Sequence, residues 1–247
     1  MEIVVSAPYK KEAVVKVLNN VNNTGITIYK GRNTIKAIEN ERENWNVKIF
    51  KIPHLINKIA YRFFRKSKAQ RSFEYANKLL DMGVSTPKPI AFAEHKTALF
   101  LLDSFYISEA LNYDLTFREL INDPNYPDRL TILQQFTKFT YNLQVNDIYF
   151  IDHSPGNTLI IKQKKGIYQF YLVDLNRMKF GHLNYQKRIQ NFARLSLTDE
   201  MIEIIALEYA GLCNKDYEEV YADMLNACHI SANKRLKKAA LKKRVGL

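Results

Sequence analysis

The sequence predicts an α+β fold of two lobes, with a small antiparallel sheet first and a mostly helical part after. Three observations predict it. Runs of alternating apolar and polar residues crowd the first hundred positions, at residues 25–38, 44–51, 89–93 and 97–106. Amphipathic runs of helical period fill the chain from Asp128 onward. A single hairpin, residues 158–161 and 167–173 about the turn Lys164-Lys165-Gly166, is embedded among those helices. The polar segment 104–113 leaves the sheet and reads as a hinge. The two lobes are therefore placed at residues 1–108 and 109–247.

Taken in order, residues 2–5 read as a short strand and 9–18 as a small helix. Residues 25–38 form two β-rich runs about Lys30-Gly31-Arg32-Asn33. Two readings of this hairpin stay open: a cover for nucleotide phosphates, or an ordinary surface hairpin, since its tip carries one glycine. In the strand 44–51, Trp45, Val47 and Ile49 share one face and Asn46, Lys48 and Phe50 the other. Lys48 sits mid-strand, where an ammonium group needs an anion: a nucleotide phosphate and a helix carboxylate. Lys51 competes for that role at the strand end. Residues 53–64 predict a helix opened by Pro53. Residues 67–82 predict a second, capped by Ser67 and ended by Gly83, with Ala69, Phe73, Ala76, Leu79 and Leu80 on its apolar face. Glu74 on that helix is the candidate partner of Lys48; the alternative is an i,i+4 surface pair with Lys78. The next hairpin turns at residues 94–96. Residues 128–145 predict a long helix with Leu130, Leu133, Phe136, Thr140 and Leu143 inward. Further helices are expected at 183–195, at 198–210 with Gly211 as its stop, and at 215–228.

Composition narrows the function classes. At 47% hydrophobic and 25% charged the chain is globular, and no apolar run reaches the length of a membrane span. An acid at position 2 and no long apolar core exclude a signal peptide. Two cysteines, Cys213 and Cys228, point to a reducing compartment, and a cytoplasmic location is expected. A formal net charge of +12 calls for an anionic partner. Aromatics are spread along the chain rather than gathered in a basic stripe, and no nucleic-acid-binding motif occurs. There is no Walker-type loop, no zinc spacing and no nucleophile–histidine triad. The end of the chain, residues 234–244, holds seven basic residues in eleven. It reads either as a surface for an anionic leaflet or as a solvated helix end.

The chemistry gathers in residues 149–177, YFIDHSPGNTLIIKQKKGIYQFYLVDLNR. Asp152 closes a short apolar run, Asn157 follows five residues later, and Asp174 closes the second strand of the embedded hairpin. Phosphoryl transfer needs such a set: one carboxylate to orient the acceptor hydroxyl, and a carboxamide oxygen and a second carboxylate to hold Mg²⁺ against the nucleotide phosphates. Asp152-x4-Asn157 has the spacing of a kinase catalytic loop, and Asp174-Leu175-Asn176 stands where a metal-binding Asp-Phe-Gly would be. A plain surface loop with two turn-favouring residues is the competing reading.

With these residues in place, residues 47–92 together with IDHSPGNTLI and YLVDLNR resemble the Kdo/WaaP lipopolysaccharide kinases, a bacterial branch of the protein-kinase-like fold. The resemblance covers roughly residues 25–195 and lies in the order of the segments. It implies a bilobal protein-kinase-like fold, ATP and Mg²⁺ as cofactors, and a sugar acceptor, Kdo or heptose, in the lipopolysaccharide inner core or on a lipid-linked precursor. It also implies peripheral contact with the anionic inner membrane. Carried over, Lys48 holds the α/β-phosphates, Glu74 pairs with it, Asp152 is the catalytic base, and Asn157 and Asp174 are metal ligands. Phe150 stands in place of the usual catalytic-loop histidine, and Asn176 in place of the glycine after the metal-binding Asp. A non-catalytic basic adaptor of the same fold, and a kinase of protein or small molecules, are the alternatives.

Overall fold

The computed structural model describes residues 1–40 and 43–244. The chain divides into two compact units, Met1–Asn112 with Asp174–Asn176, and Tyr113–Val173 with Arg177–Leu247. The first division falls four residues beyond the expected 108, because the second strand of the hairpin does not leave the sheet at Ser104.

The first unit contains β1 (Glu2–Val5), α1 (Lys11–Asn20), β2 (Ile26–Lys30), β3 (Thr34–Ile38), β4 (Trp45–Phe50), α2 (Leu55–Phe63), α3 (Lys68–Asp81), β5 (Pro89–Lys96) and β6 (Leu101–Glu109). The six strands form one antiparallel sheet in the order β1-β5-β6-β4-β3-β2. Alternation along β4 decides what covers each face. Trp45 and Val47 are buried with Val14, Val17 and Leu18 of α1. Phe50 turns the other way and packs with Phe92, Ala69 and Phe73 of α3. Lys48 shares that second face, so the strand pattern carries a lysine toward α3.

Local chemistry sets the helix ends. The Ser67 hydroxyl accepts the Gln70 N–H at 3.0 Å and starts α3, as expected. Gly83 follows its end with φ +74°, a conformation that glycine adopts without strain. Leu80, assigned to the inward face, is instead 37% exposed. Pro53 does not open α2; it stands one residue before the cap, His54. The β5–β6 turn lies at residues 97–100 rather than 94–96, where the Phe100 N–H donates to Thr97 Oγ1 at 3.1 Å. Glu94 stays within the strand because Lys96 neutralises it at 2.5 Å.

The second unit contains β7 (Leu115–Thr116), α4 (Phe117–Asn122), α5 (Arg129–Val145), β8 (Ile148–Tyr149), β9 (Thr158–Lys164), β10 (Ile167–Leu172), β11 (Lys179–Phe180), α6 (Tyr185–Phe192), α7 (Asp199–Cys213) and α8 (Tyr217–Arg244). The embedded hairpin β9–β10 forms as expected and gains β7 as a third strand; β8 pairs with β11. The core is helical and aromatic. Phe136 of α5 meets Phe117 at 4.3 Å and Phe170 at 5.8 Å between ring centroids. Phe192, Ile205, Tyr209 and Met224 join the same cluster. Leu130, expected inward, is 55% exposed; Ile132, Leu133 and Phe136 take the buried stripe. Gly211 does not stop α7. The helix runs on to Cys213 and ends at Asn214, which takes the left-handed conformation at φ 52°. Helix α8 continues past the expected Cys228 into the basic segment, with Leu236 and Leu241 exposed. The side chains of Lys242, Lys243 and Arg244 lie outside the described residues. No helix among the described residues is long and apolar enough to cross a membrane.

Truncating Phe136 to alanine removes a ring that three other rings, Phe117, His153 and Phe170, pack against and should cost about 3–5 kcal/mol of stability. Leu130→Ala on the same helix should stay within about 0.5 kcal/mol. Denaturant unfolding of both variants checks the assignment of the buried stripe.

Candidate active site

On the first unit, the mid-strand lysine finds its anion. Lys48 Nζ lies 2.8 Å from Asp174 Oδ1, with the two side chains 13% and 34% exposed. The ammonium also sits 5.5 Å above the Phe50 ring. Asp174 is held in the left-handed conformation, φ 60°, which Asp tolerates better than most residues. Asn176 reaches back two residues and donates its Nδ2 to the same Oδ1 at 2.5 Å. A carboxylate turned out of strand geometry is thus fixed by one cation and one amide.

Glu74 is not the partner of Lys48 in this structure. Its carboxylate accepts from Lys66 Nζ at 2.7 and 2.9 Å and from Gln70 Nε2 at 3.0 Å. Gln70 is one helical turn away, and Lys66, just before the cap, folds back over the first turns of α3. Lys51, the competing lysine, is exposed and lines a cavity of about 250 Å³ with Arg32, His54 and Lys68. Among the described residues no carboxylate lines that cavity. The Lys68 amine is pushed down first by burial and then by the charges of Arg32 and Arg71, while Asp174 acts in the opposite sense. This part of the unit holds more positive charge than its own carboxylates balance.

On the second unit, Asp152 follows β8 in a loop that closes on itself. The Asp152 carbonyl accepts from the Ser154 N–H at 2.7 Å and from Asn157 Nδ2 at 2.8 Å, and Pro155–Asn157 form a 3-10 turn. The Asp152 carboxylate receives Arg177 Nη1 at 2.8 Å and faces Arg194 Nη2 at 3.5 Å, both on Oδ1. Gly156 is the approach point of Arg118: an added Cβ would stand 2.9 Å from its guanidinium. Asn157 is tied to the hairpin strand through the Val173 N–H, which donates to its carbonyl at 3.0 Å; Asp174 is the next residue in the chain.

Behind the loop, the departure from the expected pattern at position 150 has a structural partner. Phe150 is buried, and its carbonyl accepts from Asn191 Nδ2 at 2.9 Å. His153 is fully buried, with Phe136 at 5.3 Å, Phe150 at 5.6 Å and Phe192 at 6.5 Å between ring centroids. Sequence reasoning missed Arg177 and Arg194. Arg177 lies close to the Asp174 motif and was open to notice. Arg194 carries no local signal, since only the fold brings the end of α6 to the loop.

Comparison with known proteins gives the family and the fold. The family model described as lipopolysaccharide kinase (Kdo/WaaP) matches residues 9–222. No curated protein matches the chain by sequence. A solved structure of WaaP in complex with acyl carrier protein is similar at 15% identity and a TM-score of 0.66, covering 96% of this chain and 99% of that one. A structure of the bifunctional kinase-methyltransferase WbdD is similar at 14% identity and a TM-score of 0.47, covering 82% of this chain and 43% of that one. The fold is the expected α+β, protein-kinase-like one.

His153 sets a pH dependence. Burial pushes its imidazole down to about 4, with the nearby Asn191 amide pulling the other way. The unfolded chain takes up this proton near pH 6.5 while the folded chain refuses it until about 4. The contribution is fully present above pH 6.5 and is lost as pH falls toward 4, by about 3 kcal/mol in all. Between pH 7 and 4.5, His153→Leu should lose about 2 kcal/mol less stability than wild type. Denaturant midpoints measured at both pH values check this, and parallel losses would refute it.

Proposed function

The chain belongs to the lipopolysaccharide kinase (Kdo/WaaP) family, and from that premise we propose that it transfers the γ-phosphoryl group of ATP to a sugar hydroxyl of the lipopolysaccharide inner core, on Kdo or heptose. The observation that carries the reading is the pair of fixed carboxylates, Asp174 held by Lys48 and Asp152 held by Arg177. Each has the surroundings its role requires.

Asp152 receives the acceptor hydroxyl. Both guanidiniums take Oδ1, which leaves Oδ2 to accept the hydroxyl hydrogen and aim the oxygen at phosphorus. The hydroxyl oxygen forms the new P–O bond, the bond to the β-phosphate oxygen breaks, and ADP leaves with that electron pair. The hydroxyl proton passes to Asp152. Lys48 exchanges its carboxylate partner for, or shares it with, the α/β-phosphates. Lys68 and Arg32 add positive charge on the same unit, and Glu74 keeps Lys66 in place along α3.

The residues present fit a hard cation. Asn157 spends its amide nitrogen on the Asp152 carbonyl, so its side-chain oxygen is the atom left for a metal, and Asp174 supplies a carboxylate. Among the described residues no three His, Cys, Asp or Glu side chains gather to hold a metal by themselves. Mg²⁺ takes one or two protein carboxylates together with substrate phosphates, so the nucleotide's phosphate oxygens would complete the coordination set we propose. When bound, Mg²⁺ neutralises the charge that the β- and γ-phosphate oxygens carry. An ATP-dependent reaction on a lipid-linked sugar places the protein at the cytoplasmic face of the inner membrane.

Thermal unfolding with ATP, with and without Mg²⁺, tests the reading before the acceptor is known, because a ligand that binds only the folded state raises the midpoint by mass action. Wild type and Asp152→Ala should both show a Mg²⁺-dependent rise, and Asp174→Ala should lose it. With a lipopolysaccharide-core acceptor, Asp152→Ala should lose about 10²–10⁴-fold in turnover. Full turnover in Asp152→Ala removes it from the base role. No rise in any of the three proteins points to a non-catalytic adaptor.

A further inference from the structure

Helix α2 is nine residues long, and none of its side chains is buried. Its sequence, LINKIAYRF, is nevertheless amphipathic. At 100° per residue, Leu55, Ile59, Phe63 and Ile56 fall within one arc of about 100°. That arc faces water: Ile56 is 82% exposed, Leu55 62% and Phe63 52%. Ile52 before the helix and Phe64 after it, the latter 81% exposed, lengthen the strip. Lys58 and Arg62 stand along one flank of the arc, and Arg65 and Lys66 follow the helix end. On the other side Asn57 and Tyr61 line the cationic cavity with Arg32, Lys51 and Lys68.

An apolar strip of this kind is unfavourable in water and marks a surface that meets something else. The charge beside it selects the occupant. The centres of protein–protein interfaces are depleted of lysine. Helices that lie in the plane of a bilayer carry Lys and Arg on the polar face beside Leu, Ile and Phe. The net charge of +12 adds a long-range attraction to the same partner. We infer that α2 is an in-plane docking helix that seats the protein reversibly on an anionic lipid bilayer, its apolar arc sunk at the headgroup boundary. A nine-residue helix with so few apolar side chains anchors weakly, so the basic residues are required as a second signal. This inference concerns a surface distinct from the carboxylate site and stands whether or not the phosphoryl-transfer reading does.

The test uses the full chain and vesicles of phosphatidylglycerol and phosphatidylcholine against vesicles of phosphatidylcholine alone, read by co-sedimentation. Wild type should bind the anionic vesicles, bind the neutral ones far less, and release with rising salt. The double variant Ile56→Asp, Phe64→Asp should partition about tenfold or more weakly. Both positions are more than four-fifths exposed, so its melting temperature and its ATP–Mg²⁺ thermal shift should match wild type. Lys237→Glu with Lys238→Glu, in the basic end of α8, should retain most of the binding. Three results overturn the proposal: no binding of wild type to anionic vesicles at low salt; unchanged partitioning of the α2 variant, including a loss that appears only in the α8 variant; or a dimer in sedimentation velocity that the α2 substitutions dissolve, which would make the strip an interface between copies.

Discussion

The ion pair between Lys48 and Asp174 is the constraint on which the site depends. Strand alternation forces Lys48 onto the face of the sheet that packs with α3, where its side chain is 13% exposed. A charge so placed must be paired or it destabilises the fold by several kcal/mol. The carboxylate that answers it comes from the far end of an embedded hairpin, and three residues, Asp174–Asn176, belong to the first unit while the chain on either side belongs to the second. Asp174 departs from the strand through a left-handed turn, and Asn176 bonds the same oxygen that Lys48 does. Backbone strain of this kind persists where surrounding contacts over-determine it, and here a cation and an amide do so.

The charges of the two units differ in a way that matches the chemistry proposed for them. Asp152 is balanced by two guanidiniums, so the carboxylate proposed as the base is oriented without any ligand. Around Lys68 the balance is positive instead: Arg32, Arg71 and Lys48 act on its amine in one sense and Asp174 in the other. Lysines that repel one another and are partly desolvated gain the most from an arriving polyanion. In the proposed reaction a nucleotide triphosphate would be that anion.

Local periodicity made much of this legible. The faces of β4, the cap at Ser67 and the hairpin β9–β10 all follow from patterns within a few residues, and the structure forms each. What failed depends on contacts far along the chain. Glu74 lies on the right helix for Lys48, but Lys66 and Gln70 reach it first, and no periodicity ranks three polar groups competing for one carboxylate. Leu130 fits a helical stripe as well as Ile132 does; which of them turns inward depends on where Phe117 and Phe170 stand. Gly211 carries a stop signal, yet the left-handed residue that ends α7 is Asn214. Arg194 was invisible because its meaning exists only once α6 ends beside the Asp152 loop.

The two departures from the family pattern bear on whether the site is degenerate, and the structure gives each a function that glycine and histidine side chains would not supply in the same way. A glycine at 176 would free the backbone but leave Asp174 Oδ1 with Lys48 alone; the asparagine adds a second hold on that oxygen. At 150 the buried phenylalanine puts an apolar ring into a cluster of rings, while Asn191 holds the loop through the backbone carbonyl, which any residue there would offer. The imidazole buried in that cluster is His153, three residues later, kept neutral by burial and without access to solvent. Neither substitution removes an oxygen that the proposed reaction uses: Asp152 Oδ2, the Asn157 carboxamide oxygen and the Asp174 carboxylate are all in place. A decayed kinase would be expected to lose those oxygens first, since they contribute nothing to the hydrophobic core. Here each carboxylate instead has two side-chain partners, Lys48 and Asn176 for Asp174 and Arg177 and Arg194 for Asp152.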